Sequence, residues 1–390
     1  MGIKYRTIHN LSYFFWGIAS SFSLLTDNPV NIQICAPIPI LLFWLYIDPM
    51  GLIKIFFSKR IGVLISFSVI VVAISAFVNG FTVLGLIRYL ALLPAFMVLL
   101  RTCEEKVYLN GALRSLALSS FVFVLYHLGS ADLTEVLNPN YRLELFLNTN
   151  GVAFIACMCV LVHIVLLLQK RRDRSNLLVV FYLIAVLAGI VVLFLTRSRT
   201  ATLAFIGGLL SLPFAMPGLI SKKINQLIFW GIVAILLLFY YWSSIFESVS
   251  FYYSFFDKYR GIETATNRTD IWSYTFNQII MKNFFIGIGP GNHFETIEKA
   301  TGFTNANNGL LIYMAEIGFF GTLPYLILLI LTFVKTIKSN GLNRLFLVIL
   351  IAGFIESIGE TMLFSTGSVG SLIFLLVVAA ENGRRNTTDD

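Results

Sequence analysis

The stretch that decides the architecture is 177-LLVVFYLIAVLAGIVVLFLTRSRT-200. From Leu177 to Thr196 it holds no charged side chain. A hydrocarbon core of roughly 30 Å is crossed by about 20 residues of helix, so this run is long enough to span a bilayer. It is apolar all round, whereas a half-exposed soluble helix keeps a polar face. The remainder of the chain agrees. Of 390 residues 57% are hydrophobic and only 12% are charged, too little polar surface to cover a water-soluble globule of this size. The solvent of this protein is lipid, and the expected fold class is all-α, a polytopic helical bundle.

Measured by the same length, the sequence predicts about twelve spans. They fall near 11–26, 30–47, 61–78, 81–100, 113–129, 151–169, 177–196, 200–220, 227–246, 308–334, 344–360 and 367–380. The basic N-terminal flank is followed by no small-residue cleavage site, so the first run reads as a retained helix. Assigning alternate loops to one side collects about 19 of the 28 Lys and Arg residues there, both termini included. Arg142, Arg197 and Arg199 are left in the short loops opposite. By the positive-inside bias the basic side and both termini are cytoplasmic. The formal charge of +8 gathers on no single soluble face, so a nucleic-acid partner is not expected. No repeat or soluble domain is visible, and 1–390 reads as one transmembrane domain. Between spans 9 and 10 lies a long connection of about 59 residues, 247–305, on the outer, periplasmic side; loops of that length are usually functional.

Candidate chemistry concentrates on that outer side. Thr196-Arg197-Ser198-Arg199-Thr200 puts two arginines where the charge bias disfavours them. Headgroup anchoring is one reading; the other is a diphosphate clamp, since guanidinium offers a planar fork matched to phosphate oxygens. In the long loop Arg268 precedes a helical pattern of Trp272, Phe276 and Ile279 or Ile280, an amphipathic helix expected to lie in the interface. Next comes Gly287-Ile288-Gly289-Pro290-Gly291-Asn292-His293, whose glycines allow backbone close to a ligand. Asn307-Asn308 opens a span running through Glu316-Ile317-Gly318-Phe319-Phe320-Gly321 to Val334. As one straight helix this would be roughly 42 Å long, so its first turns would project beyond the lipid as a natural anion site. His293 is the nearest titratable candidate for a base, with Glu295, Glu298, Asp270 and Glu316 behind it. Arg88 sits inside the fourth span, marking either a polar cavity or a salt bridge, for example to Glu356 or Glu360. His127, His163, Cys157 and Cys159 read as packing residues, and no metal ligand set is visible.

The series Ser198-Arg199, Arg268 with Trp272, Gly287-x-Gly289-x-Gly291, Asn307-Asn308 and Gly318-x-x-Gly321 resembles the O-antigen polymerase and O-antigen ligase family of lipid-linked glycan transferases, chiefly over 190–334. The resemblance implies a bacterial inner-membrane enzyme that joins undecaprenyl-diphosphate-linked oligosaccharides at the periplasmic face, with inversion and without a cofactor. It implies a flippase and a chain-length regulator as partners. Arg199, Arg268, Asn307 and His293 would be catalytic, with Arg197, Trp272, Asn308, Gly289, Gly291, Arg88 and Glu316 binding substrate. Members often carry His-Asn where this chain has Asn307-Asn308. Asn takes no proton at physiological pH, which favours a polymerase over a ligase, the nearest alternative. A lipid-linked oligosaccharide flippase is a third reading; it has little need of so long an outer loop, and its charges would line the bundle interior.

Overall fold

A computed structural model describes residues 3–23, 35–131, 149–169, 176–196, 198–216, 270–302, 306–340, 342–360 and 364–383. No strand occurs among them. The helices are α1 (Ile3–Phe22), α2 (Ile38–Ile47), α3 (Pro49–Ser58), α4 (Arg60–Asn79), α5 (Val83–Leu90), α6 (Leu92–Cys103) and α7 (Lys106–Gly129). They continue as α8 (Thr149–Gln169), α9 (Asn176–Thr196), α10 (Arg199–Ala215) and α11 (270–280), whose second part, Thr275–Ile280, is π-helical. The chain ends in α12 (His293–Thr301), α13 (Gly309–Lys338), α14 (Leu342–Gly359) and α15 (Val369–Gly383).

Burial shows why this bundle needs lipid. On α9 the side chains Leu177, Val180, Ile184, Leu187, Val191 and Phe194 are all exposed, and they recur at helical spacing. Tyr182, Ala185, Gly189, Val192 and Thr196 on the other face are buried. An apolar stripe pointing outward along a whole helix suits hydrocarbon and would aggregate in water. α8 and α15, by contrast, are buried nearly throughout and form the middle of the bundle.

Among the described residues six helical stretches are long and apolar enough to cross a membrane, counting α5 and α6 as one, and seven if α2 and α3 count as one span. α10 and α15 are apolar but shorter, and the ninth predicted span, 227–246, lies outside the described residues. The protein is thus a multi-pass helical membrane protein. Two expectations need correction. The second predicted span, 30–47, ends where α2 does, but the loop expected after it is helical: α3 meets α2 at 104°, because Pro49 opens a new helix capped by the Asp48 carboxylate, which accepts from Gly51 N–H at 2.9 Å. The long tenth span is not straight either. α13 breaks at Gly318, where φ is 64° and ψ is −170°, a backbone conformation that a side chain strongly disfavours.

Candidate functional site

The break in α13 is stabilised by a loop. Opening a helix within a bundle frees backbone groups that must find partners, and residues 284–289 supply them. Ile288 N–H donates to Ala315 O at 2.8 Å and Gly289 N–H to Glu316 O at 3.0 Å. In return Phe319 N–H donates to Phe284 O at 2.7 Å and Phe320 N–H to Phe285 O at 3.2 Å. The rings of Phe284 and Phe319 stack above this seam, 5.3 Å apart. α4 holds the same region from the other side: Ser75 Oγ donates to Glu316 O at 3.1 Å, and Asn79 Nδ2 to Gly287 O at 2.9 Å. Thr82 N–H adds a bond to Pro290 O at 2.9 Å.

The effect is to drive the Glu316 side chain into a fully buried position where four donors converge. Arg88 Nη2 and Tyr89 OH, both from α5, donate to its Oε2. Gly291 N–H donates to Oε1 at 2.7 Å, and His293 Nδ1 lies 2.5 Å from the same oxygen. A buried carboxylate is tolerated when charge and lone pairs are both answered, and here a guanidinium, a phenol, an amide and an imidazole do so together. Gly291 has φ of 83°, and a Cβ there would meet Thr82 Oγ1 at 1.8 Å, so only glycine brings this amide to the carboxylate. An ionised carboxylate can only accept, which assigns the Nδ1 proton of His293 to Glu316. His293 Nε2, equally buried, has no hydrogen-bond partner among the described residues. The Phe294 ring lies against the imidazole, 3.9 Å between centroids.

Thus Arg88, Glu316, Gly291 and His293, four of the residues singled out from the sequence, form one cluster, with Gly289 in its backbone frame. The partner of Arg88 is Glu316, in place of Glu356 or Glu360, because α5 faces the broken turn of α13. Glu360 instead accepts from Asn150 Nδ2 at 2.6 Å. Sequence reasoning missed Tyr89, whose only signal was its place beside an intramembrane arginine. Trp272 is half-buried and donates through Nε1 to Ala306 O at 2.6 Å. The helix that carries it packs on α13 through Ile271, Ile279, Ile280 and Ile312. Of the apolar face read from the sequence, Ile279 and Ile280 are turned to protein while Phe276 is exposed.

Asn307 has a positive φ of 47°, and Asn308 caps α13 through Oδ1, which accepts from Leu311 N–H at 3.0 Å. Arg199, the first residue of α10, is exposed, and its preceding residue Ser198 caps that helix. No hydrogen bond or ion pair joins Arg199 to the Glu316 cluster among the described residues. Arg197 and Arg268 lie outside the described residues. His127 and His163 are buried, each bonded through Nδ1 to a backbone carbonyl of its own helix, at 3.0 and 2.7 Å. Among the described residues no group of three or more His, Cys, Asp or Glu side chains is placed to hold a metal.

Fold and site together define a multi-pass membrane protein in which a loop and a broken helix enclose a buried ionic cluster. Residues 184–326 match the family model described as O-antigen ligase, which supports the resemblance to the O-antigen polymerase/ligase family drawn from the motifs. The match runs from within α9 to within α13, so it takes in Arg199, Gly291, His293, Asn308 and Glu316 but not Arg88 or Tyr89. The match supports an enzyme that processes lipid-linked glycans in polysaccharide biosynthesis. No curated protein matches the chain.

Proposed function

We propose that the protein is an O-antigen polymerase of the bacterial inner membrane, with cytoplasmic termini and residues 247–305 in the periplasm. The donor is an undecaprenyl-diphosphate-linked oligosaccharide. A sugar hydroxyl of a second lipid-linked repeat unit attacks its anomeric carbon from the face opposite the diphosphate. The new carbon–oxygen bond forms as the bond to the diphosphate breaks, the configuration inverts, and the electron pair leaves with undecaprenyl diphosphate. Arg199 and Arg268 neutralise that leaving group, a role that requires no metal. Arg197, Trp272, Asn307 and Asn308 line the sugar and diphosphate sites. A flippase supplies the lipid-linked units and a chain-length regulator sets the product size.

The observation that carries this reading is His293, inside the matched segment, held through Nδ1 by Glu316 so that Nε2 keeps a lone pair for a proton. His293 then takes the proton of the attacking hydroxyl. His293 is fully buried, so the site has to open before a sugar reaches Nε2. With Asn at 307, no imidazole stands where ligases carry theirs, and His293 is the base at hand. The description of the matching family favours a second reading, transfer of the finished glycan to lipid A-core or another acceptor. Lipopolysaccharide from a deletion strain separates the two. Loss of a polymerase leaves core plus one repeat unit; loss of a ligase leaves core alone, and that result would overturn the polymerase reading.

A further inference from the structure

α12 has two unlike faces. His293 and Ile297 are buried, while on the same helix Glu295, Lys299 and Ala300 are exposed and Thr296 is half-buried. Together with Asn292 and Tyr274 of α11 these residues line an open groove of about 400 Å³, within the range of about 300 to 1,000 Å³ that accommodates small ligands.

The lining has the character of a sugar site. The Tyr274 ring offers an apolar face with a hydroxyl at its rim, suited to the C–H face of a pyranose. Opposite stand groups that both donate and accept. Glu295 and Lys299 pair at 2.5 Å, and the hydrogen bond from the Lys299 ammonium holds the Glu295 carboxyl below its usual range. Asn292 commits its Nδ2 to the carbonyls of Asn79, Gly80 and Ile288, which leaves its carbonyl oxygen to accept from a ligand. The lining carries one acid and one base, so its net charge is nil, and an anionic diphosphate has no reason to prefer it. An uncharged, many-hydroxyl ligand does. Because the groove is open, a chain can lie in it and continue out. Asn292 adjoins His293 in sequence, so a chain in the groove lies next to the Glu316 cluster.

We propose that this groove is a glycan-binding subsite that holds a repeat unit of the growing polysaccharide beside the transfer site and takes no part in bond making. The inference rests on the glycan-transfer reading and extends it to a second contact with the sugar chain. The probe is the strain's own polysaccharide, freed from its lipid by mild acid, titrated into the purified full-length protein in lipid nanodiscs. It has lost its diphosphate, so it binds without reacting. Wild-type protein should bind it. Tyr274→Ala and Lys299→Ala should each weaken binding about tenfold, and a strain carrying both substitutions should make shorter chains. Lys299 is exposed, so its loss leaves folding intact. No binding by wild type, or equal binding by both variants, overturns the subsite. Binding by a wild-type protein that joins no repeat units would instead leave the subsite standing and remove the polymerase reading.

Discussion

Glu316→Gln keeps the volume of the side chain and removes its charge. If the amide oxygen stays with Arg88 and Tyr89, the amide NH2 faces Gly291 N–H and His293, placing a donor against a donor where Oε1 now accepts at 2.7 Å. The imidazole can switch tautomer to accept; the Gly291 amide cannot. Leaving that buried N–H without a partner costs about 1–3 kcal/mol. Breaking a buried ion pair on one side costs about 3–5 kcal/mol. Arg88 keeps some contact with solvent, its side chain being 22% exposed, so the lower end applies and the total is about 4 kcal/mol. At about 1.4 kcal/mol per tenfold, opening of the 287–293 loop should become more frequent by between a hundredfold and a thousandfold. Hydrogen exchange in nanodiscs reads this directly as lost protection at residues 287–293, with distant α8 little changed. Adding Arg88→Met to Glu316→Gln removes the stranded cation, so the double variant should regain part of the protection instead of losing more. Unchanged exchange in Glu316→Gln, or a double variant as poor as the sum of the singles, would refute the claim that this carboxylate holds the loop.

Four further outcomes follow from the same geometry and charges. Arg199→Ala and Arg268→Ala should each reduce polymerisation about a hundredfold, equivalent to about 3 kcal/mol, at normal membrane abundance. The double variant should be little worse, Lys should rescue only in part, and Arg197→Ala should be milder; a normal ladder from both single variants would reduce the arginines to headgroup anchors. Gly318→Ala should lower the thermal unfolding midpoint in detergent, because φ is 64° and a Cβ would lie 2.4 Å from Phe285 O. Purified enzyme should polymerise lipid-linked repeats in excess chelator, and activity restored only by one added metal would refute the metal-free scheme. Phosphatase fusions should be inactive at residues 172 and 385 and active near 265; the reverse pattern would sink the periplasmic site.

What could be read from the chain was whatever depends on near neighbours. The apolar length and spacing of 177–196 fix a membrane helix whatever surrounds it, and the structure places α9 at Asn176–Thr196. The glycines at 287, 289 and 291 read as permissive turns, and all three have positive φ. What could not be read depends on partners remote in sequence. Gly318-x-x-Gly321 inside an apolar run looks like a helix-packing motif, since nothing local says that residues 284–289 will lend backbone groups to a broken turn. Arg88 and Glu316 are 228 positions apart, and by charge alone Glu356 and Glu360 were equal candidates. That separation has a functional consequence. The family match covers residues 184–326, so Glu316 and His293 lie inside it while Arg88 and Tyr89 lie far upstream on α5. Without α5 the carboxylate would be buried with no cation, and several kcal/mol of desolvation would oppose its ionised form. A protonated Glu316 would stop orienting His293 as an acceptor of protons. The N-terminal helices therefore do more than scaffold a downstream domain: by contributing one guanidinium and one phenol they determine the charge state of the residue on which the candidate base depends.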